Sequence, residues 1–102
     1  MYLAEYEENP QMPHVKFTSH LYRYFPDLSE LDTVPGDTVA EVVVQLNRQF
    51  PGLGDYIVDE RGALRKHVNI FIGEEMIHDR TYLKDTVTPD SQVFVFQALS
   101  GG

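Results

Sequence analysis

The chain has 102 residues, 8 Lys and Arg against 16 Asp and Glu, a formal net charge of −8, and 42% hydrophobic content. This length and mixture describe one ordinary globular domain with a core that buries about 65% of its unfolded surface. The acidic balance argues against nucleic-acid binding, and the absence of cysteine removes disulfides, thiolate metal sites and a cysteine nucleophile.

Residues 1–13 hold Glu5, Glu7 and Glu8 with two prolines and no sustained hydrophobic period, so they read as an N-terminal extension. The segment lacks the basic start and apolar run of a signal peptide, and no stretch reaches the roughly 20 apolar residues a membrane span needs. A cytoplasmic protein with no membrane contact is the expectation. From His14 onward Val15 and Phe17 alternate with Lys16 and Thr18, the pattern of a half-buried strand. The aromatic run at 21–26 (LYRYFP) is expected to fold back on the core, and 29–34 is a second, weaker strand candidate ending at Pro35-Gly36.

The helix is the clearest element. Asp37 or Thr38 is positioned to cap it, with Glu41 three residues after Thr38 in capping-box spacing. Val39, Val42, Val43, Leu46 and Phe50 recur at helical intervals, opposite Glu41, Gln45, Arg48 and Gln49, until Pro51-Gly52 stops the helix. Residues 53–61 read as irregular. Val68, Ile70 and Ile72 then mark a strong strand that turns at Gly73-Glu74-Glu75, with 76–78 as its return. After a turn at Pro89-Asp90, residues 93–99 (VFVFQAL) form a last strand, apolar on both faces. Strand, strand, helix, then two or three strands is the order of an α+β, β-grasp (ubiquitin-like) domain over 14–99, a mixed four- to five-stranded sheet with one main helix across it. Residues 100–102 are its tail.

The chemistry lies where the chain stops. Gly101-Gly102 follows the apolar strand after only Ser100. Two residues without Cβ make a thin arm able to thread a narrow channel and offer the Gly102 carboxylate to a phosphate. Activation as an acyl adenylate would make that carbonyl reactive, and side chains at the last two positions would crowd the attack. Gly102 and Gly101 are therefore the expected reactive terminus, against the competing reading of a frayed end or a cloning remnant. A bare diglycine is weak by itself; joined to a terminal strand and this order of elements, it is informative.

On the helix with its following Phe50-Pro51-Gly52-Leu53, the stretch from Leu64 to Glu75 (LRKHVNIFIGEE), and the tail from Gln97 to Gly102, the chain resembles the sulfur carriers of the MoaD/ThiS family. The VNIFI segment with its Gly-Glu-Glu turn is most like the carriers that serve cysteine biosynthesis. The N-terminal extension departs from the family, whose first strand begins almost at the initiator methionine. The resemblance implies that a ubiquitin-activating-like adenylyltransferase uses ATP and magnesium to adenylate Gly102. Sulfur from a persulfide donor then displaces AMP, and the resulting thiocarboxylate serves a sulfur-accepting biosynthetic enzyme. The chain would bind no cofactor and carry no catalytic side chain. Two other readings remain open: a modifier conjugated to lysines through Gly102, and a passive β-grasp interaction module.

Strand periodicity also predicts a docking surface. With Val93 and Val95 facing the helix, Phe94 and Phe96 project from the opposite face, and Phe71 does the same on its own strand. In the family the position matching Phe96 lies on the surface that meets the activating enzyme. Leu99 and Ser100, at the root of the tail, are assigned to the same surface. The competing reading makes the phenylalanines core, covered by the N-terminal segment or the LYRYFP loop. The four histidines have no metal-ligand spacing, and no metal site is expected. Arg61, Arg65 and Lys66 form the one basic cluster, read as a solvated loop, with contact to an acidic partner as the lesser reading.

Overall fold

The computed structural model describes residues 12–98. Four strands form one mixed sheet: β1 (His14–Phe17), β2 (Val68–Ile72), β3 (Glu75–Met76) and β4 (Gln92–Gln97), in the spatial order β1-β4-β2-β3. β1 runs parallel to β4, while β2 is antiparallel to both β4 and β3. The first and last strands thus lie side by side and parallel, β4 inside the described sheet and β1 at its edge, as in a β-grasp.

The helix α1 (Val39–Gln49) buries Val39, Val42, Val43 and Leu46. They join Val15 and Phe17 of β1, Val68 and Ile70 of β2, and Val93 and Val95 of β4 in a single core. Among the described residues no polar or charged side chain is buried, so the core owes its cohesion to apolar burial and close packing.

Both ends of α1 are closed by side chains. Thr38 Oγ1 accepts the Glu41 N–H at 3.3 Å, and the Glu41 carboxylate reaches back to accept the Asp37 N–H at 2.7 Å. The box therefore closes on the residue before the cap rather than on the cap itself. Gly36 precedes it with φ of 156°; a Cβ there would lie 2.9 Å from Val42 Cγ2, so the chain approaches the helix too closely for any side chain. At the other end Asn47 Oδ1 accepts the N–H groups of Gly52 and Gly54 at 3.1 and 2.8 Å.

Two expectations change. Residues 29–34 do not form a strand: Pro26–Glu30 is a 3-10 helix, and only Thr33 bridges to His14. The physical reason is Pro26, whose fixed φ and missing N–H suit the first position of a helix: it opens the 3-10 turn that seats the buried Leu28 and takes up Ser29 and Glu30, and the chain returns to extended backbone only at Leu31. Residues 53–61, read as irregular, contain the single helical turn α2 (Gly54–Ile57), which seats the fully buried Leu53 and Ile57. The LYRYFP run folds onto the core as expected: Leu21 is buried, and Phe25 and Tyr56 meet edge to face at 5.6 Å.

Candidate functional site

β4 and β2 are in antiparallel register with Phe94 opposite Phe71 and Phe96 opposite Asn69. β1 places Lys16 beside Phe94, and the hairpin places Met76 opposite Phe71. One row therefore crosses the whole sheet on the face turned away from α1: Lys16, Phe94, Phe71, Met76. Phe96 sits one step nearer the tail, its ring 6.1 Å from that of Phe94. The three phenylalanines line one shallow groove with Gly73 and Glu74. Phe71 and Phe94 are half-buried and Phe96 is 38% exposed, so among the described residues this face is open and neither the LYRYFP run nor any strand covers it.

Met76 was not identified from the sequence. Its side chain is 53% exposed and extends the apolar row to the sheet edge. Its face follows only from the two-residue turn at residues 73–74, where Gly73 takes φ of 65°. A turn of three residues, as the Gly-Glu-Glu run suggests, would have put Met76 on the other face.

The root of the tail is held by three contacts from two separate segments. Thr18 Oγ1 accepts the Gln97 N–H at 2.9 Å and itself donates to the Val95 carbonyl at 3.2 Å. His20 Nε2 and Gln97 Oε1 are 2.9 Å apart, and the Ala98 N–H donates to the His67 carbonyl at 3.0 Å. Order in β4 is thereby carried to Ala98, the last described residue. Leu99, Ser100, Gly101 and Gly102 lie outside the described residues, as does the segment 1–11.

The basic residues also gather near this root. Arg65, Lys66, His67 and Arg80 line a hollow with Leu64 and Asp59. Arg80 donates through Nη1 to Asn69 Oδ1 at 2.8 Å and through Nη2 to the Arg65 carbonyl at 2.7 Å. Among the described residues no group of three or more His, Cys, Asp or Glu side chains is arranged to hold a metal ion, and no helix is long and apolar enough to cross a membrane.

Residues 15–102 match the sequence model of the ThiS family. No curated protein sequence matches the chain. Among solved structures the fold is similar to the BexX/CysO complex of Amycolatopsis orientalis (TM-score 0.69, 19% identity, covering 86% of this chain and 97% of that one). It is similar also to CysO of Mycobacterium tuberculosis (0.68, 21%, 83% and 97%). A third is SAMP1 of Haloferax volcanii (0.66, 22%, 89% and 99%).

Proposed function

The chain belongs to the ThiS family of ubiquitin-like sulfur carriers, and from that premise we propose that Gly102 is adenylated and then converted to a thiocarboxylate. The observation that carries this reading is that the family match, beginning at residue 15, runs through the diglycine to residue 102.

In the proposed cycle a ubiquitin-activating-like adenylyltransferase uses ATP and magnesium. The Gly102 carboxylate attacks the α-phosphorus and releases pyrophosphate. The terminal sulfur of a persulfide donor then attacks the acyl carbon, AMP leaves, and a thiol reduces the acyl persulfide to the thiocarboxylate. That product gives its sulfur to a biosynthetic enzyme. The chain supplies the acyl group, a thin arm on a fixed root, and the surface by which partners find it; it is a co-substrate. Phe96, Phe94 and Phe71, with Leu99 and Ser100 at the tail, form the proposed docking surface for the activating enzyme, and Met76 extends it. An open aromatic and Met row of this kind has the composition of an interface core. That a CysO protein has been solved in complex with BexX is consistent with carriers of this shape meeting protein partners.

A second reading has its own support, since similar folds include proteins named small archaeal modifier protein 1. In that reading the activated Gly102 passes to a lysine amine of a target. Intact-mass analysis of protein made beside its activating enzyme tests the first reading: one oxygen replaced by sulfur is expected in the native chain and not after deletion of Gly102. An unchanged mass together with isopeptide-linked conjugates would replace the carrier reading with the modifier one.

A further inference from the structure

The hollow beside the tail root concentrates the wrong charge for this protein. Three of its side chains, Arg65, Lys66 and Arg80, are cationic against the single carboxylate of Asp59. The rest of the chain is left with five cations and fifteen acids. Nor is this positive charge consumed internally. Among the described residues none of the three is in an ion pair. The two arginines are fixed by neutral acceptors instead: Arg65 Nε donates to the Asp55 carbonyl at 2.7 Å, and Arg80 donates to Asn69 Oδ1 and to the Arg65 carbonyl. Asp59, the one carboxylate of the hollow, accepts the N–H groups of Arg61 and Ala63 at 2.8 and 3.1 Å and feels the charge of Arg65, so it offsets at most one of the three cations. Two cations held in place by neutral acceptors, with the exposed Lys66 beside them and one carboxylate against the three, are preorganised for an anion from outside.

Position then selects the anion. His67 borders the hollow, and its carbonyl holds Ala98 at 3.0 Å. Asn69, which receives Arg80, stands opposite Phe96 in the sheet. The basic hollow is therefore continuous with the aromatic row and with the base of the tail. The four residues beyond Ala98 reach at most about 14 Å when fully extended. An enzyme that captures the Gly102 carboxylate must bring its surface within that distance of Ala98, whose N–H is bonded to a residue bordering the hollow. Three cations make too short a track for a nucleic-acid backbone on a chain of net charge −8.

We infer that Arg65, Lys66 and Arg80 form the electrostatic half of the docking surface and meet an acidic protein surface beside the tail channel of the activating enzyme. This rests on the proposed adenylation of Gly102. Its role is orientation: the rest of the carrier repels an acidic partner, so only the pose that brings the hollow and the tail to the channel together is favoured.

The test is ATP–pyrophosphate exchange by the adenylyltransferase of the same organism, with the full-length carrier as the varied substrate. Salt is set at about 0.1 M and about 1 M, where the screening length falls from about 10 Å to about 3 Å. Lys66 is exposed, so Lys66→Glu should fold with an unchanged unfolding midpoint. At the lower salt it should raise KM about ten-fold with kcat unchanged, and at the higher salt the difference should collapse. Lys66→Arg should retain the native KM. Arg48→Glu makes the same change of charge on the exposed surface of α1, across the core from the aromatic row, and should leave KM within about two-fold. Equal effects from positions 48 and 66, or a KM rise that survives high salt, would overturn the inference while leaving the carrier reading intact. So would loss of binding to a single-stranded oligonucleotide with KM unchanged. No exchange with the native chain sinks both.

Discussion

Phe96 is the side chain whose position matters most for the proposed docking. It stands at 38% exposure, next to Phe94 and one residue from the hydrogen-bonded Gln97. A carboxylate at this site would face solvent in the free protein but would be stripped of water in a complex, where an unpaired charge is costly. Phe96→Asp should therefore reduce kcat/KM for adenylation at least about thirty-fold, the scale of an interface hot spot, while thermal unfolding stays cooperative. Native activation kinetics in that variant would remove the aromatic row from the docking surface. Period-two alternation in VFVFQ was enough to put Phe94 and Phe96 on one face. It was not enough to find Met76, because its face depends on the length of a turn, nor to see that Asn69 joins Phe96 to Arg80. Those relations are between strands, and no single segment contains them.

At the level of elements, α1 packs Val39, Val42, Val43 and Leu46 into the core it shares with the sheet. Leu46 is fully buried in the C-terminal half of α1, and Leu46→Ala should cost about 3 kcal/mol through lost transfer energy and the cavity left behind. Urea unfolding should show this as a lower midpoint at unchanged slope; a loss under about 1 kcal/mol would mean the site collapses to fill the space. The helix was legible because its apolar spacing, its cap and its Pro-Gly stop all agree. The strand expected at 29–34 is shortened to a single bridge because the 3-10 turn opened by Pro26 takes up Ser29 and Glu30. β1 consequently reaches that flank through one bridge, His14 to Thr33, made by two backbone bonds: Val15 N–H to the Asp32 carbonyl and Val34 N–H to the Pro13 carbonyl.

At the scale of the whole molecule, four carboxylates among the described residues shape the response to acid. The N–H of Tyr82 above all, with those of Lys84 and Thr81, holds the Asp79 carboxyl below its usual range. At Asp85 desolvation acts to raise the carboxyl, but the N–H groups of His78 and Asp79 outweigh it and the net shift is downward. Asp59 is lowered by the N–H of Arg61 first, and Asp32 by its hydrogen bond to His14. A carboxyl depressed in the folded state stabilises above its unfolded pKa of about 3.9 and loses that contribution as pH falls through the folded value. Stability should thus be flat from about pH 7 to pH 5 and fall below about pH 4. Asp85→Ala should lower stability by about 1 kcal/mol at neutral pH, a value already discounted for solvent screening, and the difference should vanish at the acid end. A variant gap that persists at low pH would show that its effect is packing rather than charge.

The amino-acid order alone determined the class of fold, the capped helix, the strands that build the core and the diglycine terminus, because each is written in local spacing or in the identity of the last residues. Only the tertiary structure decided that Lys16, Phe94, Phe71 and Met76 form one row, that residues 18, 20 and 67 grip the root of the tail, and that Arg80 joins Arg65 and Lys66 beside it. These groupings depend on register between strands and on loops closing over long separations. Thr18 and Gln97 are 79 residues apart in the chain, and no local preference of either residue encodes their meeting.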